Sequence, residues 1–322
     1  MSESTVTQVT ISAEEEGQRL DNFLLKWAKG VPKSHIYRII RSGEVRVNKK
    51  RATVTTRIVD GDIIRIPPIR VAQPELQVQS DQLQFSANKI SQNLPILFED
   101  NALLIVNKPS GLAVHGGSGV SLGLIEALRM ARPELKFLEL VHRLDRDTSG
   151  ILILAKKRSA LTALHEDIRS GLLDKRYILV AHGQFKGGLG HVSLKYPLEK
   201  YLLPNGERRV KVQDSGQVSL TIIKYLGSLH DGQCFVAEAL LKTGRTHQIR
   251  VHLQYIGHPI LGDDKYGVVD LDKKVGAKRL MLHAFRLVFK HPVTKEKMQI
   301  QAPLPEGFSA DAREVQEKVD LA

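Results

Sequence analysis

The chain has 322 residues, 42% of them hydrophobic and 25% charged, with a formal net charge of +12 and a single cysteine. No apolar run approaches the ~18 residues of a membrane helix, and one cysteine excludes an internal disulfide or a cysteine-rich metal site. The polar start, Met1–Thr5, lacks the apolar stretch of a signal peptide, which predicts a cytoplasmic protein.

The charge is concentrated near the front. Residues 19–70 hold thirteen Lys and Arg against four Asp and Glu, most of the excess of the chain. Leu20, Phe23, Leu24 and Trp27 recur at helical spacing until Gly30 and Pro32 break the pattern. A second helix follows, with Ser34 as expected N-cap, Ile36, Ile39 and Ile40 as its stripe and Gly43 as its end. Lys33, Arg38 and Arg41 lie beside or on its polar face. Glu44 to Arg51 reads as a strand running into a basic turn that carries Lys49 and Lys50. Asp60-Gly61-Asp62 then turns into the alternating strand Ile63–Ile66. Short helices and strands with cations on one helix and one turn make a phosphate-tracking surface. Residues 18–70 resemble the S-four-type RNA-binding domain, carried by Arg19-Leu20-Asp21, Ser34 to Ile40, Gly43 to Asn48 and Asp60 to Ile64. Domain boundaries are expected at 1–85, with a linker to about 95, and 96–322. The linker reading rests on six glutamines, Pro74 and Pro95, and weak periodicity.

Leu103–Val106 reads as a buried strand entering Asn107-Lys108-Pro109-Ser110-Gly111, a turn flanked by Lys108 and His115. The segment His142-Arg143-Leu144-Asp145-Arg146 puts a carboxylate between two arginines, just ahead of the apolar strand Ile151–Ala155. A nucleophilic or proton-moving carboxylate must stay ionised and fixed, and nearby cations favour its charged form. A charged turn before a core strand is the plain alternative.

Ser159–Ser170 reads as a helix closed by Gly171, and Lys175–Ala181 as a strand. Tyr177 there is either a core tyrosine or a ring that stacks on a base with its hydroxyl free for proton transfer. Tyr201–Arg209 reads as a basic hairpin around Pro204-Asn205-Gly206, with Arg208 and Arg209 facing RNA. His247–Ile256 reads as a helix with Thr246 as N-cap and Gly257 past its end. His247, Arg250 and Gln254 then share a face suited to a carboxylate or phosphate. No carboxylate or thiol stands at ligand spacing beside these histidines, so no metal is expected. Leu261 to Gly267 forms a tight turn, and Arg279–Ala284 resumes buried structure.

In order, Asn107 to Gly111, His142 to Asp145, Lys175-Arg176-Tyr177, Thr243 to His252 and Leu261-Gly262-Asp263 resemble the RluA-type pseudouridine synthases, over almost the whole chain. Further segments, such as Gly30 to Ser34 and His115 to Gly119, are similar to the members that act on the large ribosomal subunit. The resemblance implies an α/β (α+β) fold whose catalytic domain has a mixed, mostly antiparallel central sheet. It implies isomerisation of specific uridines in 23S ribosomal RNA without cofactor or metal. The implied partner is that RNA or an assembly intermediate of the subunit, bound by a monomer.

By resemblance, Asp145 is the essential aspartate, attacking the sugar C1′, attacking C6 of the base, or removing the C2′ proton. Tyr177 stacks on the base and can take the last proton, Arg250 pairs with the aspartate, and Arg143 assists extrusion of the nucleotide. Further RNA contacts are expected from Lys108, His115, His247, Lys33, Arg38, Arg41, Lys49, Lys50, Arg208 and Arg209. Two rivals are a non-catalytic RNA-binding protein and a glycosidic hydrolase. A hydrolase would need a second carboxylate, and Asp147, two residues on, points elsewhere in an extended segment.

Overall fold

A computed structural model describes residues 6–28, 31–69, 77–117, 122–185, 191–308, 314–315 and 318–319, with side chains omitted for 77–80. Gly30 and the Ser118-Gly119 pair singled out in the sequence lie outside the described residues. The chain divides into two compact units, Met1–Gln84 and Phe85–Ala322.

The first unit holds β1 (Thr7–Thr10), α1 (Leu20–Trp27), α2 (Lys33–Arg41), β2 (Arg46–Val47), β3 (Lys50–Arg51) and β4 (Ile63–Ile66), with sheet order β1-β4-β2-β3. Its core joins Leu20, Phe23 and Leu24 of α1 to Ile36, Ile39 and Ile40 of α2 and to Ile64 and Ile66 of β4. Trp27 does not join that stripe, because the helix ends there and leaves its ring 41% exposed. Helix α2 starts two residues earlier than expected. Pro32 is its N-cap and Ser34 makes no cap hydrogen bond, the fixed proline backbone setting the entry instead.

The stretch expected as a linker of weak periodicity holds regular structure, and its Pro74 lies outside the described residues. Residues Gln77–Gln92 form a sixteen-residue helix, α3. Glutamine is a good helix former, and Leu83, Ala87 and Ile90 give a narrow inward stripe that the sequence pattern left inconspicuous.

The second unit continues with β5 (Ile96–Glu99), β6 (Leu103–Lys108), α4 (Leu124–Ala131), β7 (Glu139–Leu140), β8 (Ser149–Ala155), α5 (Arg158–Arg169) and β9 (Asp174–His182). Then come β10 (His191–Leu194), β11 (Leu198–Leu202), β12 (Arg208–Val212), β13 (Thr221–Leu229), β14 (Cys234–Leu241), α6 (Gln248–Tyr255), α7 (Val269–Lys274), β15 (Leu282–Lys290) and β16 (Lys297–Gln301). Ten strands form one sheet with main order β10-β13-β14-β9-β15-β8-β6-β5, β16 beside β15 and β7 beside β8. Every pairing is antiparallel except β15 with β8, so the sheet is mixed and mostly antiparallel as expected. The basic hairpin is the separate pair β11–β12, turning at Gly206.

Strand β15 is what assembles the centre. Ala284 stands opposite Gly150 on β8 and opposite Tyr177 on β9, so two distant segments meet across one residue. Gly150 has φ +111°, and a β-carbon there would stand 2.3 Å from the Ala284 carbonyl oxygen. All seven residues of β8 are buried, which makes a rigid floor directly after Asp145. Cys234 is buried in this core, and burial pushes its thiol up to about 11, with Asp272 adding to the effect. No helix among the described residues is long and apolar enough to cross a membrane.

Candidate active site

Asp145 sits at the entrance to β8 with a quarter of its side chain exposed. Its Oδ2 accepts a hydrogen bond from Arg250 Nη1 at 3.4 Å, and its Oδ1 lies 3.9 Å from His247 Nε2. Arg250 is fully buried on α6. Its Nε and Nη2 donate to Asp263 at 2.8 and 2.6 Å, and Nη2 also reaches Asp264 at 3.1 Å. Burial works against the Arg250 charge, but Asp263, Asp145 and Asp264 outweigh it and hold the guanidinium firmly protonated. Asp263 also accepts the backbone N–H groups of Lys265 and Tyr266. The guanidinium therefore lies in a fixed plane, with one edge left for Asp145.

The start of α6 differs from expectation. Thr246 is not the cap. His247 is, in the left-handed conformation at φ +53°, and the helix begins at Gln248. Such a backbone costs a non-glycine residue of order 1 kcal/mol. Gln248 holds the approach in place, its carbonyl accepting from Thr243 and from the Arg245 N–H. The strained turn sets the His247 ring between Asp145 and Tyr266, whose hydroxyl lies 2.8 Å from Nδ1. The Tyr266 oxygen also accepts the Val210 N–H, so the phenol ties the His247 ring to β12. Burial lowers the His247 pKa against the pull of Asp145, which keeps the ring neutral near pH 7.

Tyr177 is 7% exposed on β9. Burial drives its phenol well above the ordinary tyrosine range, and the Asp145 charge adds to the shift. The hydroxyl is thus a proton donor in the resting protein. Asp145, Tyr177, His247, Arg250 and Arg143 line one narrow cavity of about 80 Å³. A wider cleft of about 550 Å³ shares Asp145, Tyr177 and Arg143, within the range of ~300–1,000 Å³ usual for ligand sites. Arg143 is exposed and makes no hydrogen bond or ion pair among the described residues.

Other expected residues fall elsewhere. Lys108 is fully buried, and its amine donates to the carbonyls of Pro109, Leu112 and Arg146, each at 2.8 Å. It cannot touch RNA; it ties the 109–112 turn to the loop after Asp145. Lys108→Met is expected to cost about 3 kcal/mol, lowering the melting temperature by roughly 10 °C, because three buried carbonyls lose their donor. RNA affinity of the folded variant should be unchanged. A melting point equal to that of the parent would contradict this role.

His115 is exposed, 3.9 Å from Glu126, and does not line the cavity. Arg209 is occupied too. It donates to the Lys265 carbonyl, pairs with Glu207 and lies over the Tyr266 ring, clamping the hairpin to the loop that holds Arg250. Arg208 remains exposed. Gln254 is exposed and outside the cavity, because it stands a full turn beyond Arg250 toward the C-terminal end of α6. In the first unit, Lys33, Arg38, Arg41, Lys49 and Lys50 are all exposed. Lys33 and Arg41 lie over the Tyr37 ring, and Arg38 is 3.5 Å from Glu44.

Sequence reasoning missed Asp263 and Tyr266 as supports of the site. A signal existed, because a buried arginine needs a carboxylate and Asp263-Asp264 follow α6 closely. Among the described residues no group of three or more His, Cys, Asp or Glu could hold a metal.

Residues 102–255 match the RNA pseudouridylate synthase family, and residues 18–64 match the S4 domain. The ribosomal large subunit pseudouridine synthase C of Escherichia coli (strain K12) is 51% identical over 312 residues, covering 94% of this chain and 95% of its own. The same-named protein of Pasteurella multocida (strain Pm70) is 52% identical over 303 residues, covering 93% of this chain and 90% of its own. Among solved structures, human RNA pseudouridylate synthase domain containing 4 is 26% identical, with a TM-score of 0.57 over 75% of this chain and 98% of its own.

Proposed function

The chain belongs to the RNA pseudouridylate synthase family, and from that premise we propose that it isomerises specific uridines of large-subunit (23S) ribosomal RNA, at the positions its C-type relatives modify. The observation that carries the reading is the Asp145 carboxylate held 3.4 Å from a buried arginine, in one cavity with Tyr177 and an unpaired Arg143. The reaction breaks the N1–C1′ bond and forms C5–C1′, with a proton leaving C5 and one arriving at N1. Atoms balance without oxidant or net water.

The target uridine must leave its stack, at a cost of a few kcal/mol, and Arg143 is free to fill the vacated place. Arg250 and His247 orient Asp145 toward the ribose or the base, for attack at C1′ or C6 or for removal of the C2′ proton. Tyr177 stacks on the uracil. Its buried phenol can relay the proton, giving its own to N1 and taking the one that leaves C5, which returns it to its resting protonated form. The exposed cations of α2 and the β2–β3 turn carry the sequence-independent part of RNA binding. We assign the protein to the cytoplasm, as a monomer acting on the RNA or on an assembly intermediate.

Hydrolysis is the weaker reading. Asp147 pairs with Arg146, and none of Asp147, Asp263 and Asp264 lines the cavity beside Asp145. The test is a pseudouridine map of large-subunit RNA from cells with and without the protein. Loss of a defined set of pseudouridines, restored by the wild-type chain, is the expected result. An identical map refutes the assignment, and release of free uracil points to hydrolysis.

A further inference from the structure

The wider cleft beside the active site has a charge balance that the chemistry at Asp145 does not explain. Its lining includes Arg143, Arg169, Lys175, Lys200 and Arg245, and Asp145 is its single carboxylate. Lys175 is the anomaly among them. It is half-buried on β9, two residues from Tyr177 and on the same strand face, yet its amine makes no hydrogen bond or ion pair among the described residues. The carboxylates of its neighbourhood are taken, since Asp174 and Glu238 both pair with Arg176. His142 beside it is neutral, burial and the Lys175 charge holding its pKa down to about 4. A half-buried cation without a counter-charge is costly, and proteins keep one where a ligand supplies the anion.

Lys175 lines a cleft of about 550 Å³, room enough for such an anion. Gly244 lines it too and adds no bulk beside the amine; a β-carbon there would stand 3.7 Å from Lys175 Nζ, at ordinary contact distance.

We infer that the wider cleft is a phosphate seat centred on Lys175, flanked by Arg245, Lys200 and Arg169, which holds the RNA backbone next to the uridine in the Asp145 cavity. The inference rests on the function proposed above. A fixed phosphate two residues along the strand from Tyr177 would register the flipped nucleotide against the reacting groups.

The test measures binding of a large-subunit RNA fragment as a function of salt, in the Asp145→Asn background so that no RNA is converted. Lys175→Met should weaken binding about three- to fivefold at 0.15 M salt and reduce the slope of log K against log salt by about 0.7, one single-strand phosphate contact. Lys175→Arg should keep the slope. Without RNA, Lys175→Met should melt at or above the temperature of its parent, because an unpaired buried charge has been removed. An unchanged slope, with a lower melting temperature, shows an amine that props the fold and overturns the seat. Conversion by the otherwise unaltered protein is followed on the same fragment. No conversion together with a lowered Lys175→Met slope rejects the enzymatic reading and leaves the seat standing; normal conversion with an unchanged slope does the reverse.

Discussion

Replacing Asp145 by asparagine is expected to abolish pseudouridine formation, with a fall of at least about 10³-fold in the single-turnover rate, while the protein stays folded and still binds RNA. An amide of the same shape keeps an acceptor for Arg250 but loses the negative charge and the nucleophilic oxygen. Folding should survive because Asp145 is a quarter exposed and Arg250 retains its two-pronged bond to Asp263. Single-turnover conversion of a saturating RNA fragment, with the melting temperature measured alongside, separates the two effects. A variant that keeps more than a tenth of the rate would remove Asp145 from the chemistry.

The second large effect belongs to Asp263. Asp263→Ala leaves the fully buried Arg250 with only Asp145 and the half-exposed Asp264, and breaking such a pair costs about 3–5 kcal/mol. Activity should fall with it, since Arg250 no longer has a fixed plane from which to hold Asp145. A double change, Arg250→Met with Asp263→Leu, should recover much of the stability and none of the activity, because it removes both buried charges together.

The pH dependence has a definite sign. Burial raises the Asp263 pKa, but the hydrogen bonds and charge of Arg250, with the N–H groups of Lys265 and Tyr266, lower it further than burial lifts it. A carboxylate whose folded pKa lies below its unfolded value stabilises fully above about pH 4, and that contribution fades as pH falls through the folded value. The gap between wild type and Asp263→Ala in denaturant melts should therefore shrink between pH 5 and pH 2. A gap of the same size at both ends would mean that packing, not the ion pair, is lost.

Where local pattern decides structure, the sequence was sufficient. The alternation of Ile63–Ile66, the apolar run Ile151–Ala155 and the spacing of Ile36, Ile39 and Ile40 each specify an element from their neighbours, and each is found. The small basic unit is legible in the charge and pattern of residues 19–70, whereas the mixed sheet is implied only by the resemblance. Asp145 and Arg250, 105 residues apart, are paired in the sequence only through the resemblance, and the fold brings them to 3.4 Å.

Contacts set by long-range register were not legible. Lys108 read as a free cation because a lysine in a glycine-rich turn looks the same whether its amine meets RNA or three carbonyls of its own chain. Arg209 looked as open as Arg208 until the fold brought the Lys265 carbonyl and Tyr266 to it. The sequence puts His247 inside a helix, whereas its hydrogen bond with Tyr266 accompanies a strained turn that local propensity disfavours.

The segment around Asp145 shows the division of labour. Sequence by itself determined that a carboxylate stands between arginines at the mouth of a buried strand. Only the tertiary structure decided which cation it uses. Arg146 turns to Asp147 and Asp264, Arg143 stays unpaired at the cavity, and Arg250 arrives on α6 with its plane fixed by Asp263. The physical reason is that chain adjacency fixes where a side chain starts, while burial and the competition among nearby carboxylates fix which partner it keeps.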